Sequence, residues 1–229
     1  MHKYKWLLFD ADNTFLDFAT ASKKSLFTTC EDYRLTCDEG IYKTYKIENA
    51  KVWEAFENKE ITALELRSLR FEKFFSAVDI KGIDPFEFNA RFLQNLINVS
   101  EAYSGAKNYL ENLRPSYKMS VITNGLKEVQ RPRINKLQMS HIFDSIIVSD
   151  EIGVAKPDIE FFNHSYSTIA NPPPKSEVLV IGDNLKSDIQ GGINFGVDTC
   201  WISHKRENNS SIKPTYTVND LFDLNSILM

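Results

Sequence analysis

The most constraining feature of this sequence is an apolar run near its start that ends abruptly in aspartates. Trp6 to Phe9 are followed directly by Asp10-Ala11-Asp12-Asn13-Thr14. An uninterrupted apolar run is typical of a strand buried on both faces, as in parallel sheets that have helices on either side. Open α/β folds bind their ligands at the carboxyl ends of such strands. The sequence therefore predicts that Asp10 and Asp12 lie at the ligand-binding edge of a parallel sheet.

The two aspartates fit two interpretations. Asp, Asn and Thr are common in turns and helix caps, so residues 10–14 are compatible with an ordinary strand end. Alternatively, one carboxylate binds a cation while the other transfers protons, which suits phosphate chemistry. The second interpretation requires complementary groups at the ends of other strands.

Composition limits the partners of the protein. The 229-residue chain is 42% hydrophobic, which is enough for one large domain or for a domain with an insertion. A formal net charge of −4 gives no general attraction to nucleic acid or to an anionic membrane, so we expect neither partner. The three cysteines cannot form a fully paired disulfide framework, and the sequence begins with no long apolar segment. We therefore expect a cytoplasmic protein, either a monomer or a homodimer.

The rest of the chain divides into a helical part and an alternating part. Between residues 17 and 100 apolar residues recur at spacings of three and four, and three breaks predict four helices. From residue 101 onward strand and helix patterns alternate, which is typical of a parallel sheet. We therefore predict an α/β fold with a doubly wound, Rossmann-like sheet core from residues 1–16 and 101–229. Residues 17–100 form an inserted four-helix cap domain, and we expect it to act as a lid.

Several local features of the sequence predict details of the helices. Thr62 and Asp84 are candidate helix caps. A helix predicted over residues 126–138 contains Pro132, which should kink or shorten it. Further helices are predicted to start at Pro157 or the next residue and to cover 187–195. The glycines at 191 and 192 favour close helix packing rather than a phosphate cradle.

Three later segments supply the complementary groups that the phosphate interpretation requires. Thr123 and Asn124 end one predicted strand, Lys156 lies in the loop after the next, and Asp183 and Asp188 follow another. Phosphate-monoester chemistry needs a nucleophile, a compensating cation, donors around the transferred oxygens and an acid for the leaving alkoxide. Carboxylates are hard oxygen ligands, and Mg²⁺ is the metal that suits them. The combined set predicts Mg²⁺-dependent phosphoryl chemistry.

These segments also resemble the motifs of a known family. The sequence contains D-x-D-x-T from Asp10, T-N-G from Thr123, K-P from Lys156 and G-D-N-x-x-x-x-D from Gly182. These are similar, in the same order, to the four motifs of the haloacid dehalogenase-like hydrolase superfamily. The resemblance covers the whole chain, and the helical insertion is similar to that of the helical-cap subclass. Asn13 departs from many relatives, which carry an acidic residue there.

The resemblance implies how the carboxylates act. Asp10 would be the nucleophile that forms a phosphoaspartyl intermediate. Asp12 would first protonate the leaving oxygen and then activate water. The Asp10 carboxylate, the Asp12 backbone carbonyl and Asp183 would hold Mg²⁺, with Asp188 as a further ligand or a support.

The resemblance also implies which groups bind the phosphoryl oxygens. Thr123 and the Asn124 backbone would bind these oxygens, while Lys156 would offset charge on the nucleophile and on the transferred group. The true dehalogenases of the superfamily typically lack the residue equivalent to Asp12. Dehalogenation is therefore disfavoured.

A finer resemblance concerns the substrate. Residues 122–125, 153–158 and 187–194 are similar to those of bacterial pyrimidine 5′-nucleotidases, as are Trp53 and Arg70 in the cap. This similarity implies a pyrimidine ribo- or deoxyribonucleoside monophosphate as the substrate. Trp53 offers a flat surface for a base, and Arg70 offers a cation for a base or a phosphate. For the cap aromatics, which include Phe71, Phe74 and Phe75, the helical spacing favours a bundle core over a binding surface.

Two alternatives to the nucleotidase interpretation stay open. The same chemistry serves a sugar-phosphate phosphatase, or a phosphomutase that returns the phosphoryl group. A non-catalytic phosphate-binding regulatory module would retain the pocket, although the intact Asp12 argues against it. The sequence thus predicts a Mg²⁺-dependent phosphoric monoester hydrolase that acts as a 5′-nucleotidase on pyrimidine nucleoside monophosphates.

Overall fold

The apolar run before Asp10 forms strand β1 (Trp6–Phe9) in the computed structural model of the protein, which describes residues 3–228. Successive side chains of a strand point to opposite faces of its sheet. Leu7 and Phe9 accordingly pack into one hydrophobic core, while the other two residues of β1 pack into a second core. The prediction of a strand buried on both faces is confirmed.

Six parallel strands form one sheet within residues 3–228. Besides β1 they are β2 (Lys118–Thr123), β3 (Ser145–Val148), β4 (Val178–Gly182), β5 (Asp198–Ile202) and β6 (Tyr216–Val218). Their order is β3-β2-β1-β4-β5-β6, so β1 lies between β2 and β4. The registers place Phe9 opposite Val121 on one side and Ile181 on the other. The predicted α/β fold with a doubly wound parallel sheet is confirmed.

The sheet belongs to a unit that contains the residues up to Asp17 and those from Glu101 onward. A second unit spans Phe18–Ser100. The chain returns to the sheet unit beside its point of departure, because the Asp17 backbone N–H donates to the Glu101 carbonyl oxygen at 3.0 Å. The second unit is therefore inserted into the connection that follows β1.

The second unit consists of four helices, which matches the predicted number. They are α1 (Phe18–Asp32), α2 (Glu39–Glu57), α3 (Ala63–Val78) and α4 (Pro85–Val99). The Thr62 hydroxyl accepts from the Glu65 N–H, and the Glu65 carboxylate accepts from the Thr62 N–H, which forms a capping box on α3. Asp84 accepts from the backbone N–H groups of Phe86 and Glu87 at the start of α4. Both predicted caps are confirmed.

Aromatic side chains fill the interior of the helical unit. The ring centroid of Phe71 lies 4.9 Å from that of Phe88, and Phe75 lies 5.0 Å from Phe88. Phe74 packs edge-to-face against Tyr45 at 5.5 Å. Ring pairs at these distances contribute free energy beyond the area that they bury. The bundle-core interpretation is therefore confirmed for Phe71, Phe74 and Phe75.

Helices pack beside the sheet in the first unit. They are α5 (Ala106–Leu113), α6 (Lys127–Lys136), α7 (Ser149–Ile152), α8 (Ile159–Ser167), α9 (Gln190–Phe195) and α10 (Asn225–Leu228). The helix predicted to start at about Pro157 or Asp158 is α8, which has Asp158 as its N-cap because the Asp158 carboxylate accepts from the Glu160 N–H. The helix predicted over 187–195 begins instead as a π-helical turn at Leu185–Ile189. Helix α6 continues past Pro132 to Lys136 and is shorter than predicted.

Helix α9 lies close to the sheet because it contains two consecutive glycines. A Cβ on Gly192 would lie 2.6 Å from Thr199 Cγ2 in β5 and 3.2 Å from Val180 Cβ in β4. A Cβ on Gly191 would lie 2.4 Å from the ring of Phe162 in α8. Carbon atoms pack best at about 3.5–4.0 Å, so neither position has space for a side chain. The interpretation of these glycines as a close-packing device is confirmed.

The substitution Gly192→Ala should lower the free energy of unfolding by about 1–3 kcal/mol, because the added methyl group overpacks the interface with β4 and β5. Urea denaturation at neutral pH measures this change. Ile193→Ala on the same helix is the control, since Ile193 is 39% exposed and its loss should cost about 0.5 kcal/mol. An alanine variant as stable as the wild type would contradict the close approach.

Candidate active site

Three of the predicted site residues lie at the carboxyl ends of adjacent strands. Asp10 follows β1, Thr123 is the last residue of β2, and Asp183 follows β4. Because β1 lies between β2 and β4, these residues meet at one edge of the sheet. The loop after α7 brings Lys156 to the same edge, and the π-helical turn brings Asp188.

A buried lysine connects these residues. The Lys156 ammonium group is 1% exposed and donates to Asp10 Oδ1 at 2.7 Å, to Asp188 Oδ1 at 2.6 Å and to the Ile122 carbonyl at 2.7 Å. An ammonium group has three donors, so all of them are used. Burial alone would lower the pKa of Lys156, but the charges of Asp10 and Asp188 raise that pKa above its ordinary value. Lys156 is therefore a charged group held between two carboxylates.

Asp10 is held on both carboxylate oxygens. Lys156 binds Oδ1, and the Thr14 hydroxyl donates to Oδ2 at 3.3 Å. Burial raises the pKa of Asp10 well above its usual range, and the nearby charges of Asp188 and Asp183 raise it further, while Lys156 opposes them. The environment of Asp10 therefore favours a further positive charge, such as a bound cation.

Three carboxylates form an acidic cluster at this edge. Asp10, Asp183 and Asp188 each offer an oxygen, and these oxygens lie within 4.8 Å of one another. Burial raises the pKa of Asp183 to about 7, and the charge of Asp188 adds to this effect. Converging carboxylate oxygens are the ligands that Mg²⁺ prefers, so the residues present fit the predicted metal. The fourth predicted ligand, the backbone carbonyl of Asp12, stays a prediction.

The position of Asp188 depends on the backbone around it. Its Oδ2 accepts from the Asn184 N–H at 3.0 Å, and the Asn184 side chain in turn accepts from the N–H groups of Lys186 and Ser187. A Cβ on Gly182 would lie 2.2 Å from Asp188 Oδ2. The glycine of the G-D-N segment therefore provides the space that the Asp188 carboxylate occupies.

Asn124 holds the loop that carries Lys156. Its amide nitrogen donates to the Lys156 carbonyl at 2.9 Å, and its amide oxygen accepts from the Lys156 N–H at 2.8 Å. The Asn124 side chain thus forms a two-way bridge to the lysine backbone. The predicted contact between the Asn124 backbone and a phosphoryl oxygen stays a prediction.

Arg206 was not among the residues singled out from the sequence. Its Nη2 donates to the Asp183 carbonyl at 2.6 Å and to Asp183 Oδ2 at 3.2 Å, and Trp201 Nε1 donates to the same carbonyl. The charge of Arg206 and its hydrogen bond to Oδ2 oppose the rise in the pKa of Asp183. No spacing rule indicates this pairing, because it depends on how the segment after β5 folds back.

Asp12 is bound by two residues of α6 rather than by the acidic cluster. Gln130 Nε2 donates to Asp12 Oδ2 at 2.9 Å and to Thr123 Oγ1 at 2.8 Å. Arg133 Nη1 lies 2.7 Å from Asp12 Oδ1 and donates to Gln130 Oε1 at 2.7 Å. Neither Gln130 nor Arg133 was singled out from the sequence, although both lie on one face of the helix that follows T-N-G. The predicted acid and base therefore has its own polar network.

The two predicted substrate contacts of the helical unit have different surroundings. Trp53 is half-buried and packs edge-to-face against Phe56 at 5.8 Å. The Arg70 guanidinium is 4.8 Å from the ring centroids of both Phe71 and Phe92, and Arg70 is 4% exposed. Burial lowers the pKa of Arg70. Contacts of Trp53 and Arg70 with a substrate stay predictions.

A family model and two individual relatives indicate the same protein family. The model of the haloacid dehalogenase-like hydrolases matches residues 7–202. The chain is 34% identical to the pyrimidine 5′-nucleotidase YjjG of Escherichia coli over 227 residues, which cover 99% of this chain and 98% of YjjG. It is also 34% identical to the pyrimidine 5′-nucleotidase PynA of Streptococcus pneumoniae, across 96% of this chain and 93% of PynA.

A structural comparison gives the same result. The crystal structure of the putative HAD-hydrolase YfnB from Bacillus subtilis, which is bound to magnesium, superimposes with a TM-score of 0.92 at 30% identity. The match covers 99% of each chain. Within residues 3–228, no helix is both long and apolar enough to cross a membrane. The four motifs, the parallel sheet that brings them together and these full-length similarities show that the chain belongs to the haloacid dehalogenase-like hydrolase family.

Proposed function

We propose that the protein is a Mg²⁺-dependent phosphatase that hydrolyses phosphate monoesters through a phosphoaspartyl intermediate on Asp10. The observation that carries this proposal is the placement of Asp10 between the buried Lys156 ammonium and the Asp183 and Asp188 carboxylates. A carboxylate nucleophile must meet an anionic phosphate, so positive charge is needed on both sides of it. Asp10, Asp183 and Asp188 would hold Mg²⁺, which when bound neutralises charge on the transferred group.

The proposed reaction consists of two successive displacements at phosphorus. In the first, an Asp10 oxygen bonds to phosphorus while the bond to the ester oxygen breaks, and Asp12 donates a proton to that leaving oxygen. In the second, water attacks phosphorus, Asp12 takes a proton from the water, and the bond to Asp10 breaks. Thr123 and the Asn124 backbone bind the phosphoryl oxygens throughout. Lys156 keeps Asp10 in place and offsets the charge that develops.

The proposed substrate is a pyrimidine ribo- or deoxyribonucleoside 5′-monophosphate. Support comes from the two relatives at 34% identity, both of which are pyrimidine 5′-nucleotidases. The sheet unit would carry the chemistry, and the helical unit would act as a cap that recognises the nucleoside through Trp53 and Arg70. The proposal includes a cytoplasmic monomer or homodimer, in keeping with the free thiols of the three cysteines.

Phosphate release from a panel of nucleotides and sugar phosphates tests the reaction and the substrate together. We expect Mg²⁺-dependent release from pyrimidine monophosphates, and Asp10→Asn should reduce kcat by about 10³-fold or more because the nucleophile is lost. Asp79→Asn is the control, because the Asp79 side chain is 83% exposed. Release mainly from sugar phosphates would be consistent with the proposed mechanism but would exclude pyrimidine monophosphates as the main substrates. No release from any compound would favour a phosphate-binding module.

The metal site can be tested without an activity assay. Mg²⁺ at about 100 times its dissociation constant should raise the free energy of unfolding by about 2.7 kcal/mol, because only the folded state brings the three carboxylates together. Urea denaturation with and without Mg²⁺ measures this increase. In Asp183→Asn the increase should be largely lost, whereas Asp79→Asn should retain it. An equal effect of Mg²⁺ in both variants would exclude the acidic cluster as its site.

A further inference from the structure

We propose that Gln130 and Arg133 are positioning residues that hold the Asp12 carboxylate in the orientation needed for proton transfer. This inference rests on the proposed phosphatase function. A proton-transfer group must lie within hydrogen-bond reach of the leaving oxygen, and a misplacement of about 1 Å is costly. Asp12 has a side chain that is 22% exposed, so it needs partners to restrict its rotation.

The contacts restrict both oxygens of the carboxylate. Gln130 Nε2 donates to Oδ2, and Arg133 Nη1 pairs with Oδ1, at 2.9 and 2.7 Å. A carboxylate oxygen has two lone pairs, so each oxygen retains a site for a proton. The hydrogen bond at Oδ2 and the ion pair at Oδ1 therefore restrict the rotation of the Asp12 carboxylate without using up its capacity for proton transfer.

Gln130 can serve this role in one orientation of its amide only. Its Nε2 group donates one hydrogen to Asp12 and the other to Thr123 Oγ1, while its Oε1 accepts from Arg133. The reversed amide would place an oxygen against the Asp12 carboxylate and an NH₂ group against a guanidinium. Because Gln130 is 2% exposed, no solvent competes for these sites. The amide therefore links the proton-transfer residue to the predicted phosphate-binding residue.

The ion pair with Asp12 also stabilises the Arg133 cation. Arg133 is fully buried, and a buried cation is costly unless it is paired. Gln130 and Arg133 are three residues apart on α6, which places both side chains on the same face of the helix. The helix therefore presents an amide and a cation to Asp12 as one unit.

Gly125 provides the space for this arrangement. A Cβ at this position would lie 2.6 Å from Gln130 Cγ and 2.7 Å from Gln130 Nε2. The backbone of Gly125 has no left-handed φ that would by itself require glycine. The glycine of the T-N-G segment is therefore explained by the path of the Gln130 side chain toward Thr123 and Asp12.

The test compares two leaving groups in the first turnover. An alkoxide leaving from an alkyl phosphate needs a proton from Asp12, whereas p-nitrophenolate leaves without one. In Gln130→Met and Arg133→Met, we expect the first-turnover rate for the preferred nucleoside monophosphate to fall by about 10²-fold. The burst of p-nitrophenol from p-nitrophenyl phosphate should stay within about threefold of the wild type. In Arg133→Met the substrate concentration that half-saturates the first-turnover rate should change little for either substrate, because that variant keeps the bond from Gln130 to Thr123.

Three further variants separate positioning from folding. Arg133→Lys keeps the charge and should recover part of the loss. Gly125→Ala displaces Gln130 without changing its chemistry and should reproduce the selective loss. Lys136→Met, an exposed position on α6, should behave as wild type. If Gln130→Met does not fold, Gln130→Asn moves the amide while keeping a polar group there.

The outcomes distinguish this inference from the proposed function. Equal loss for both leaving groups would show a structural role only, and a rate that is unchanged or higher in folded variants would show that the contacts do not orient Asp12 productively. Either result overturns the inference and leaves the phosphatase function standing. Absence of turnover by the wild type on any phosphate ester would overturn both.

Discussion

The active-site edge of this sheet depends on one buried ammonium group. Lys156 lies between Asp10 and Asp188, and without it the three clustered carboxylates would repel one another in a largely buried site. Each pair of like charges about 4 Å apart costs roughly 4 kcal/mol at an effective dielectric constant of 20. The lysine compensates part of this repulsion and is itself fixed by Asn124, which bonds to its backbone in both directions. The charge of Lys156 therefore allows the carboxylates of Asp10, Asp183 and Asp188 to lie together at one edge of the sheet.

The sheet order explains why residues that are far apart in the sequence meet there. Strand β1 has β2 on one side and β4 on the other, so the connections that follow it diverge. Ligands of open α/β sheets bind in the crevice that such a divergence creates. Asp10 lies in this crevice with Thr123 on one side and Asp183 on the other. The chemistry follows from strand order as much as from residue type.

Much of this arrangement could be predicted because strands and caps have local sequence signals. The apolar run before Asp10, the four helices and the caps at Thr62 and Asp84 were all readable from periodicity and residue type. The contacts of Gln130, Arg133 and Arg206 were not, because long side chains reach across elements whose packing no local pattern specifies. The helix that carries Gln130 and Arg133 was predicted, but its period does not specify which residues its side chains contact. The hydrogen bonds from the Asn124 side chain to the Lys156 backbone could not be predicted for the same reason.

The two aspartates of the D-x-D segment end in separate polar networks. Asp10 shares Lys156 with Asp188, while Asp12 pairs with Arg133 of α6. Each carboxylate thus has its own buried cation, and neither depends on the other for compensation. Such a separation allows one aspartate to act as a nucleophile beside a metal while the other exchanges protons.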